Sequence, residues 1–374
     1  MQTYVGLVNI FIRDDGRTRI PAGSPRSRGT LMVTMHDVAA RANVSVATVS
    51  FVVNGTKSIS SATTARVEQA MRELGYRRNP VGAALARGRT KIIGMLYPAL
   101  QRPLSGTVGG FFTSATARAR ERGYQLVLWP ISNESDEAMA LADTGLVDGV
   151  LLMEVQLNDH RVPALIAGRT PFALIGRTAE PEGLAYVDVD FGATVSTAVE
   201  TLAALGHRDF CLVTGGSRAG RFEEHGPAER SRAAFLADME SAGLTGTVRY
   251  CLEDSREGRA FGRAFRDELP DATALLLLNE HAAPGIVIGL REAGVRVPDD
   301  LSIISLGSSA HMANMVDPTL TFLRSPADEL GRLGVDTIID RIENPDAELP
   351  AVLIPCEMVP GDSVAAAPPR TSSR

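Results

Sequence analysis

The sequence predicts an α/β protein: a small all-helical head, a linker, and a body of two doubly wound parallel-sheet lobes. Three observations point there. Charge is divided unevenly, with nine Lys/Arg against three Asp/Glu over residues 32–91 in a chain of 374 residues whose net charge is −6. Three helix patterns, each with its own cap, follow one another between residues 34 and 75. Beyond Lys91, short branched-apolar runs alternate with helical periodicity, the pattern of parallel sheets covered on both faces. About 280 residues of that alternation divide better into two lobes than one.

Residues 1–31 show no clear periodicity and end in PAGSPRSRGT. They read as a disordered arm, or as an extension ahead of a natural start at Met32. The head is predicted over residues 32–78. Thr34-Met35-His36-Asp37 fits a capping box with Asp in place of Glu. The helix after it has Met35, Val38, Ala39 and Ala42 on one face and runs to Ala42. Asn43 tolerates the left-handed turn that follows. Ser45 caps a second helix with Val49, Val52 and Val53 inward, closed by Asn54-Gly55. Ser60 or Ser61 caps a third, with Val67, Ala70, Met71 and Leu74 inward and Gly75 as its stop. The motif proper is residues 35–54.

Residues 79–90 are predicted to be a linker. Asn79 and Pro80 can start a short helix through Ala86, which is too short to stand alone and contains Gly82. The body, residues 91–363, offers the strands KIIGMLYP, QLVLWPI, VDGVLLMEV, FALIGR, DFCLVTGG, VRYCL, ALLLLNE and SIISLGS. Its helices include FFTSATARARERGY, VSTAVETLAALGH, RSRAAFLADMESAGL, APGIVIGLREAGV and PADELGRLGVDTIIDRIE. Residues 364–374 read as a disordered tail.

Composition limits the function classes. Hydrophobic residues are 44% and charged residues 22%, a globular balance, and no apolar run reaches the roughly 18 residues of a membrane span. Cys211, Cys251 and Cys356 are odd in number and widely spaced, which argues against disulfides or zinc and for a reducing cytoplasm. No phosphate-binding loop, nucleophile elbow or metal-spaced cluster is present in the sequence, so no catalytic residue, metal or cofactor is expected. The six histidines are scattered. The basic head beside an acidic body points to a polyanion partner for the head alone.

The strings TMHDVAARANVSVATVSFVVNG, ELGYRRN and PVGAALARGRTKIIG resemble the LacI/GalR (lactose-repressor/galactose-repressor) family of bacterial transcriptional regulators. So do LVDGVLLM, PFALIGR, YVDVDFGA, LGHRDF, GVRVPDDLSII and DPTLTFLRSPADELGRL in the body. The resemblance spans residues 33 to about 363. It implies a helix-turn-helix head, a hinge helix and a periplasmic-binding-protein-like core of two lobes. It also implies a homodimer on pseudo-palindromic operator DNA, acting as a repressor whose affinity a small sugar-like effector changes. Thr34, Ser45, Ser60, Thr63 and Asn54 would meet phosphates. Val46, Ala47, Ser50 and Phe51 would face major-groove bases, with Thr48, Tyr76 and Asn79 completing the surface. Leu85 would wedge into the minor groove. Each Ser or Thr also has a plain capping role, and Phe51 has the alternative of packing on a neighbouring helix.

The lobes would exchange chain near Asp188–Asp190, Thr321–Arg324 and Ile354–Glu357. Effector-binding candidates by motif position are Arg230, with Ser231 and Arg232 as neighbouring registers, and Asn279. Two acids common in the family are missing: the chain has Ser305-Leu306-Gly307-Ser308-Ser309 and Gly176-Arg177 at those places. Two effectors stay open. One is anionic or phosphorylated and held by Arg177 and Arg230; the other is a neutral sugar held by serine hydroxyls, Ser308 among them, and backbone. The rival classes are an enzyme, a secreted sugar-binding protein, and a sensor that does not bind DNA.

Overall fold

The computed structural model describes residues 33–55, 57–76, 88–98, 106–131, 137–138, 140–141, 144–216, 225–346 and 348–369. The expectations for residues 1–31, the short helix from Asn79 through Ala86 with Leu85, residues 370–374 and the side chain of Asn54 lie outside them. The expected disorder from residue 364 is corrected, since Val364 packs on the core, Ala365 N donates to Ser302 Oγ at 3.0 Å and Ala367 N to the Leu205 carbonyl oxygen at 2.9 Å. The chain forms two compact units, divided between Ala83 and Ala84.

In the first unit, α1 (Met35–Ala42) starts on the predicted capping box: Thr34 Oγ1 accepts from Asp37 N at 3.4 Å and Asp37 Oδ2 accepts from Thr34 N at 2.8 Å. Asn43 turns left-handed at φ 51. Ser45 caps α2 (Val46–Asn54), and Ser60 rather than Ser61 caps α3 (Ser61–Leu74). The core of this bundle is Val38, Ala39, Ala42, Val49, Val67 and Ala70. Val52, Val53, Met71 and Leu74, predicted inward, are half-buried at its rim because three short helices enclose only one layer of side chains.

The second unit holds two six-stranded sheets. The first contains β1 (Ile92–Tyr97), β2 (Gln125–Pro130), β3 (Gly149–Leu152), β4 (Phe172–Ile175), β5 (Tyr186–Val189) and β11 (Ala351–Ile354), in the order β11-β5-β4-β3-β1-β2. All its pairings are parallel. The second contains β6 (Asp209–Gly216), β7 (Thr245–Leu252), β8 (Ala274–Leu278), β9 (Ser302–Ser308), β10 (Thr321–Arg324) and β12 (Glu357–Val359), in the order β12-β10-β9-β8-β6-β7. Here β12 alone runs antiparallel, on β10. The covering helices are α4 (Gly106–Glu121), α5 (Arg161–Ala167), α6 (Phe191–Ala204), α7 (Gly226–Ala242), α8 (Ser255–Glu268), α9 (Ala283–Glu292), α10 (Ala310–Ala313) and α11 (Ala327–Glu343). The chain passes between lobes after β5, after β10 and after β11, at the three predicted places.

Helices α8 and α9 cross on glycine. A Cβ on Gly285 would lie 1.8 Å from the Ser255 carbonyl oxygen, and one on Gly258 would lie 2.3 Å from that of Ala282. Backbone stands against backbone there, so no side chain can move aside. Gly285→Ala should therefore destabilise the second unit by about 3 kcal/mol, the upper end for overpacking, read as a fall in the urea midpoint at unchanged slope.

Candidate functional site

Two surfaces carry the candidate residues. In the head, Ser45 Oγ accepts from Thr48 N at 3.1 Å and meets Thr48 Oγ1 at 2.9 Å. Ser60 Oγ accepts from Thr63 N at 3.3 Å and donates to Thr63 Oγ1 at 2.9 Å. These hydroxyls sit at helix N-termini, where backbone N–H groups also favour an anion. Along α2, Ala47 is exposed, and Thr48, Ser50 and Phe51 are half-buried. Val46 and Tyr76 pack on the rim of the head core; Phe51 is not among the side chains that do so. Instead the Lys57 ammonium lies 5.6 Å from the Phe51 ring centroid, which sets a cation beside the aromatic.

In the second unit a cavity of about 190 Å³ opens at the carboxyl ends of the strands of both lobes, the usual place for a ligand in parallel α/β sheets. Its apolar wall includes Tyr97, Phe111, Met153, Phe191, Leu278 and Leu306. Its polar wall includes Glu154, Asp188, His225, Glu253, Asn279 and Glu280. Among the described residues no lysine or arginine lines it.

Among the described residues, Glu280, His225 and Arg230 each bridge the lobes around this cavity. Glu280, after β8, accepts from Gly106 N at 3.1 Å and from Thr107 Oγ1 at 2.7 Å, seating a carboxylate on the start of α4. His225 Nε2 lies 3.2 Å from Glu154 Oε2. Arg230 donates to the carbonyl oxygens of Arg177 at 2.6 Å and Thr178 at 3.2 Å, and reaches Asp188 Oδ2 at 3.4 Å.

The loop carrying Glu154 is held from behind by a buried ion pair. Arg161 and Asp159 have side chains with 0% exposure and meet at 2.7 Å. Arg161 Nη2 also donates to the carbonyl oxygens of Met153 at 3.3 Å and Glu154 at 3.0 Å. Glu154 is at φ 51, a conformation that costs a non-glycine residue energy and needs such support.

The expected effector residues fall into place unequally. Asn279 lines the cavity, but its amide donates to the Cys251 carbonyl oxygen at 2.8 Å and its Oδ1 accepts from Ala282 N at 3.1 Å, so both polar ends tie strand to helix. Arg177 and Arg230 do not line the cavity: they lie beside Asp188, whose carboxylate does. Of the three registers, Arg230 is the one that reaches the other lobe; Ser231 is buried and Arg232 pairs with Glu229 on its own helix. Ser308 corrects the expectation. Gly307, at φ 59, breaks the alternation of β9, and Ser308 lines a separate pocket with Ser309, Arg324 and Glu357. The two acids missing at Gly176 and Ser305–Ser309 are replaced from other strand ends, by Glu154, Asp188, Glu253 and Glu280. A signal for two of them was in the sequence: Glu154 and Glu280 directly follow the strand runs VLLM and LLLLN.

Burial raises the Asp188 carboxyl from 3.8 to about 6, against the pull of Arg230 and Arg177. Its folded value lies above its unfolded one, so the folded state binds the extra proton between about pH 4 and 6. Stability from this group falls as pH rises through that window, by up to about 3 kcal/mol for a shift of two units. Asp188→Asn should flatten the pH dependence of the urea midpoint across that interval.

A helical head with capped reading helix, joined in one chain to a two-lobed cleft, defines a DNA-binding regulator with a small-molecule domain. Residues 34–79 match the model of bacterial regulatory proteins of the lacI family, and residues 199–364 match the periplasmic binding protein-like domain. Catabolite control protein A of Staphylococcus epidermidis is 26% identical over 336 residues, 87% of this chain and 97% of that protein. The cellobiose complex of the transcriptional regulator CelR matches at 25% identity with a TM-score of 0.65, covering 88% of this chain and 99% of that one. The lac repressor dimer bound to operator and anti-inducer shares the fold, with a TM-score of 0.78 at 22% identity over 89% of this chain and 99% of that one. The chain belongs to the LacI/GalR family of bacterial transcriptional regulators, which are not enzymes. Among the described residues no helix is long and apolar enough to cross a membrane.

Proposed function

We infer that this regulator is a homodimeric repressor in the cytoplasm, whose grip on a pseudo-palindromic operator is altered by a small, neutral sugar-like effector in the cleft. The observation that carries this reading is the cleft itself: an apolar wall suited to a sugar's C–H face, beside carboxylates suited to its hydroxyls, at the junction of two bridged lobes. Cellobiose occupies the CelR relative, which supports the same ligand class here. A ligand that fits the closed arrangement better than the open one shifts the lobes toward closure, and only that difference in affinity can be passed to the heads. In the head, Thr34, Ser45, Thr48, Ser60, Thr63 and Tyr76 would position the phosphate backbone, joined by Asn54 and Asn79, while Ala47, Ser50 and Phe51 read bases and Leu85 opens the operator centre.

The anionic-effector alternative is disfavoured by charge, because among the described residues the cavity presents four carboxylates, and Arg177 and Arg230 stand behind one of them. Gel shift of the full-length protein on DNA upstream of its own gene, at two salt concentrations and with cellobiose or ribose added, tests the reading. A shift that weakens steeply with salt and changes with a neutral sugar is expected. Absence of any salt-sensitive shift would overturn it.

A further inference from the structure

Arg177 and Arg230, beside the cleft, face a carboxylate from inside the protein. Asp188 Oδ2 lies 3.4 Å from Arg230 Nη1 and 3.5 Å from Arg177 Nε, while its Oδ1 accepts from Val189 N at 2.8 Å. The Asp188 side chain is 6% exposed. Both guanidinium distances exceed the roughly 2.7–2.9 Å of a tight charge-assisted bond. The carboxylate therefore holds the two cations by charge more than by saturated hydrogen bonds. Geometry sets the order: the carboxylate borders the cavity and the guanidiniums do not. A ligand in the cavity meets an anion first, with Glu154, Glu253 and Glu280 around it.

We propose that Asp188 is the specificity-determining residue of the cleft, an internal anion standing where an effector's phosphate or carboxylate would otherwise pair with Arg177 and Arg230. It admits uncharged polyhydroxylated ligands and refuses their anionic counterparts. The proposal rests on the reading of the cleft as an effector site, but it concerns one residue. Arg230 is also tied to the carbonyl oxygens of Arg177 and Thr178, so it keeps its place when the carboxylate is neutralised. Replacing Asp188 by a neutral residue of similar shape removes the competing charge, so the positive field of the two cations reaches the cavity.

The test compares full-length wild type, Asp188→Asn, Asp188→Ser and Asp188→Asn/Arg230→Gln at neutral pH. One arm needs no knowledge of the natural effector: thermal unfolding in rising inorganic phosphate, against chloride at equal ionic strength. Asp188→Asn or Asp188→Ser should show saturable stabilisation by phosphate that wild type and the double variant lack. The other arm is calorimetric titration with ribose, ribose 5-phosphate, cellobiose, and glucose 6-phosphate. Wild type should favour ribose over its phosphate, or cellobiose over glucose 6-phosphate, by about tenfold or more, and the Asp188 variants should narrow or invert the ratio. Phosphate stabilisation of wild type equal to that of the variants, or none in folded Asp188→Asn and Asp188→Ser, overturns the proposal. Wild type that binds no neutral sugar, with the phosphate arm positive, overturns the sugar reading of the cleft and leaves the role of Asp188 standing.

Discussion

Asp159→Asn should lower the stability of the two-lobed unit by about 3–5 kcal/mol, the cost of breaking a buried ion pair from one side. The geometry explains why so small a change is severe. Asp159 Oδ1 accepts from Arg161 N at 3.0 Å and Nε at 2.9 Å; Oδ2 accepts from Arg161 Nη2 at 2.7 Å and Gln156 N at 3.0 Å. All four positions face donors. An amide turns one oxygen into an NH₂ that points at two of them, and it leaves a guanidinium with 0% exposure without a counter-charge. Arg161 Nη1 already has no hydrogen-bond partner among the described residues, so the pair has no reserve. Asp159→Leu combined with Arg161→Met removes both charges and should cost far less, because desolvation is relieved along with attraction. Urea unfolding of the single and double variants separates these outcomes. A single-variant loss below about 1 kcal/mol would sink the assignment, being no more than an exposed pair gives. The consequence reaches function through Glu154. Arg161 holds the carbonyl oxygens on either side of its amide, and Glu154 meets His225 across the cleft. Hydrogen exchange should rise over residues 153–160 even under conditions where Asp159→Asn stays folded.

The head was legible because its information is local. Thr34, Ser45 and Ser60 each sit one residue before a periodic apolar run, and Asn43, Gly55 and Gly75 each stand where the chain must turn left-handed. Nothing distant is needed to place them. Strands β1 to β4 and β6 to β9 were legible for the same reason, as branched-apolar runs bounded by turns. Strands β5, β10, β11 and β12 were not recognised as strands, although the chain crossings were expected there. They carry Asp188, Arg324 and Glu357 in place of an unbroken apolar run, and exist because a sheet is waiting at each crossing to pair with them. Helix α8 was missed because Gly258 and Gly262 weaken its local propensity while serving a contact with α9 that sequence does not display.

The cleft was the least legible part. Arg230 was expected to hold the effector, and it faces Asp188 outside the cavity lining instead. Which way a guanidinium points depends on where the nearest carboxylate falls, and Asp188 is 42 residues earlier on the other lobe. The missing acids at Gly176 and Ser305–Ser309 left an anionic and a neutral effector equally open. Three chain crossings instead gather Glu154, Asp188, Glu253 and Glu280 from four different strand ends. A cleft's charge is a property of the assembled lobes, and counting acids within one motif misjudges it.

Phe51→Arg should move the operator preference toward guanine at one step of each half-site, by about 1–3 kcal/mol in discrimination. The side chain lies on the reading helix α2, half-buried, outside the set that closes the head core, with Lys57 beside its ring. Phenylalanine has no hydrogen-bonding group, so it can favour a base only by apolar contact, and thymine alone offers a methyl in the major groove. Lys57 near the ring keeps a cation at the same place, which can serve the phosphates without choosing a base. Arginine at position 51 would bring two parallel donors that match guanine O6 and N7. Selection from DNA with randomised half-sites, run in parallel on wild type, Phe51→Arg and Phe51→Ala, reads the preference directly. Wild type should enrich thymine at the affected step, Phe51→Ala should lose that enrichment while keeping the rest of the half-site, and Phe51→Arg should replace it with guanine. An identical base preference in all three would mean that the ring does not touch the bases. The salt dependence of affinity should be steeper for Phe51→Arg only if the new charge meets a phosphate rather than a base edge, so the same proteins distinguish readout from simple attraction.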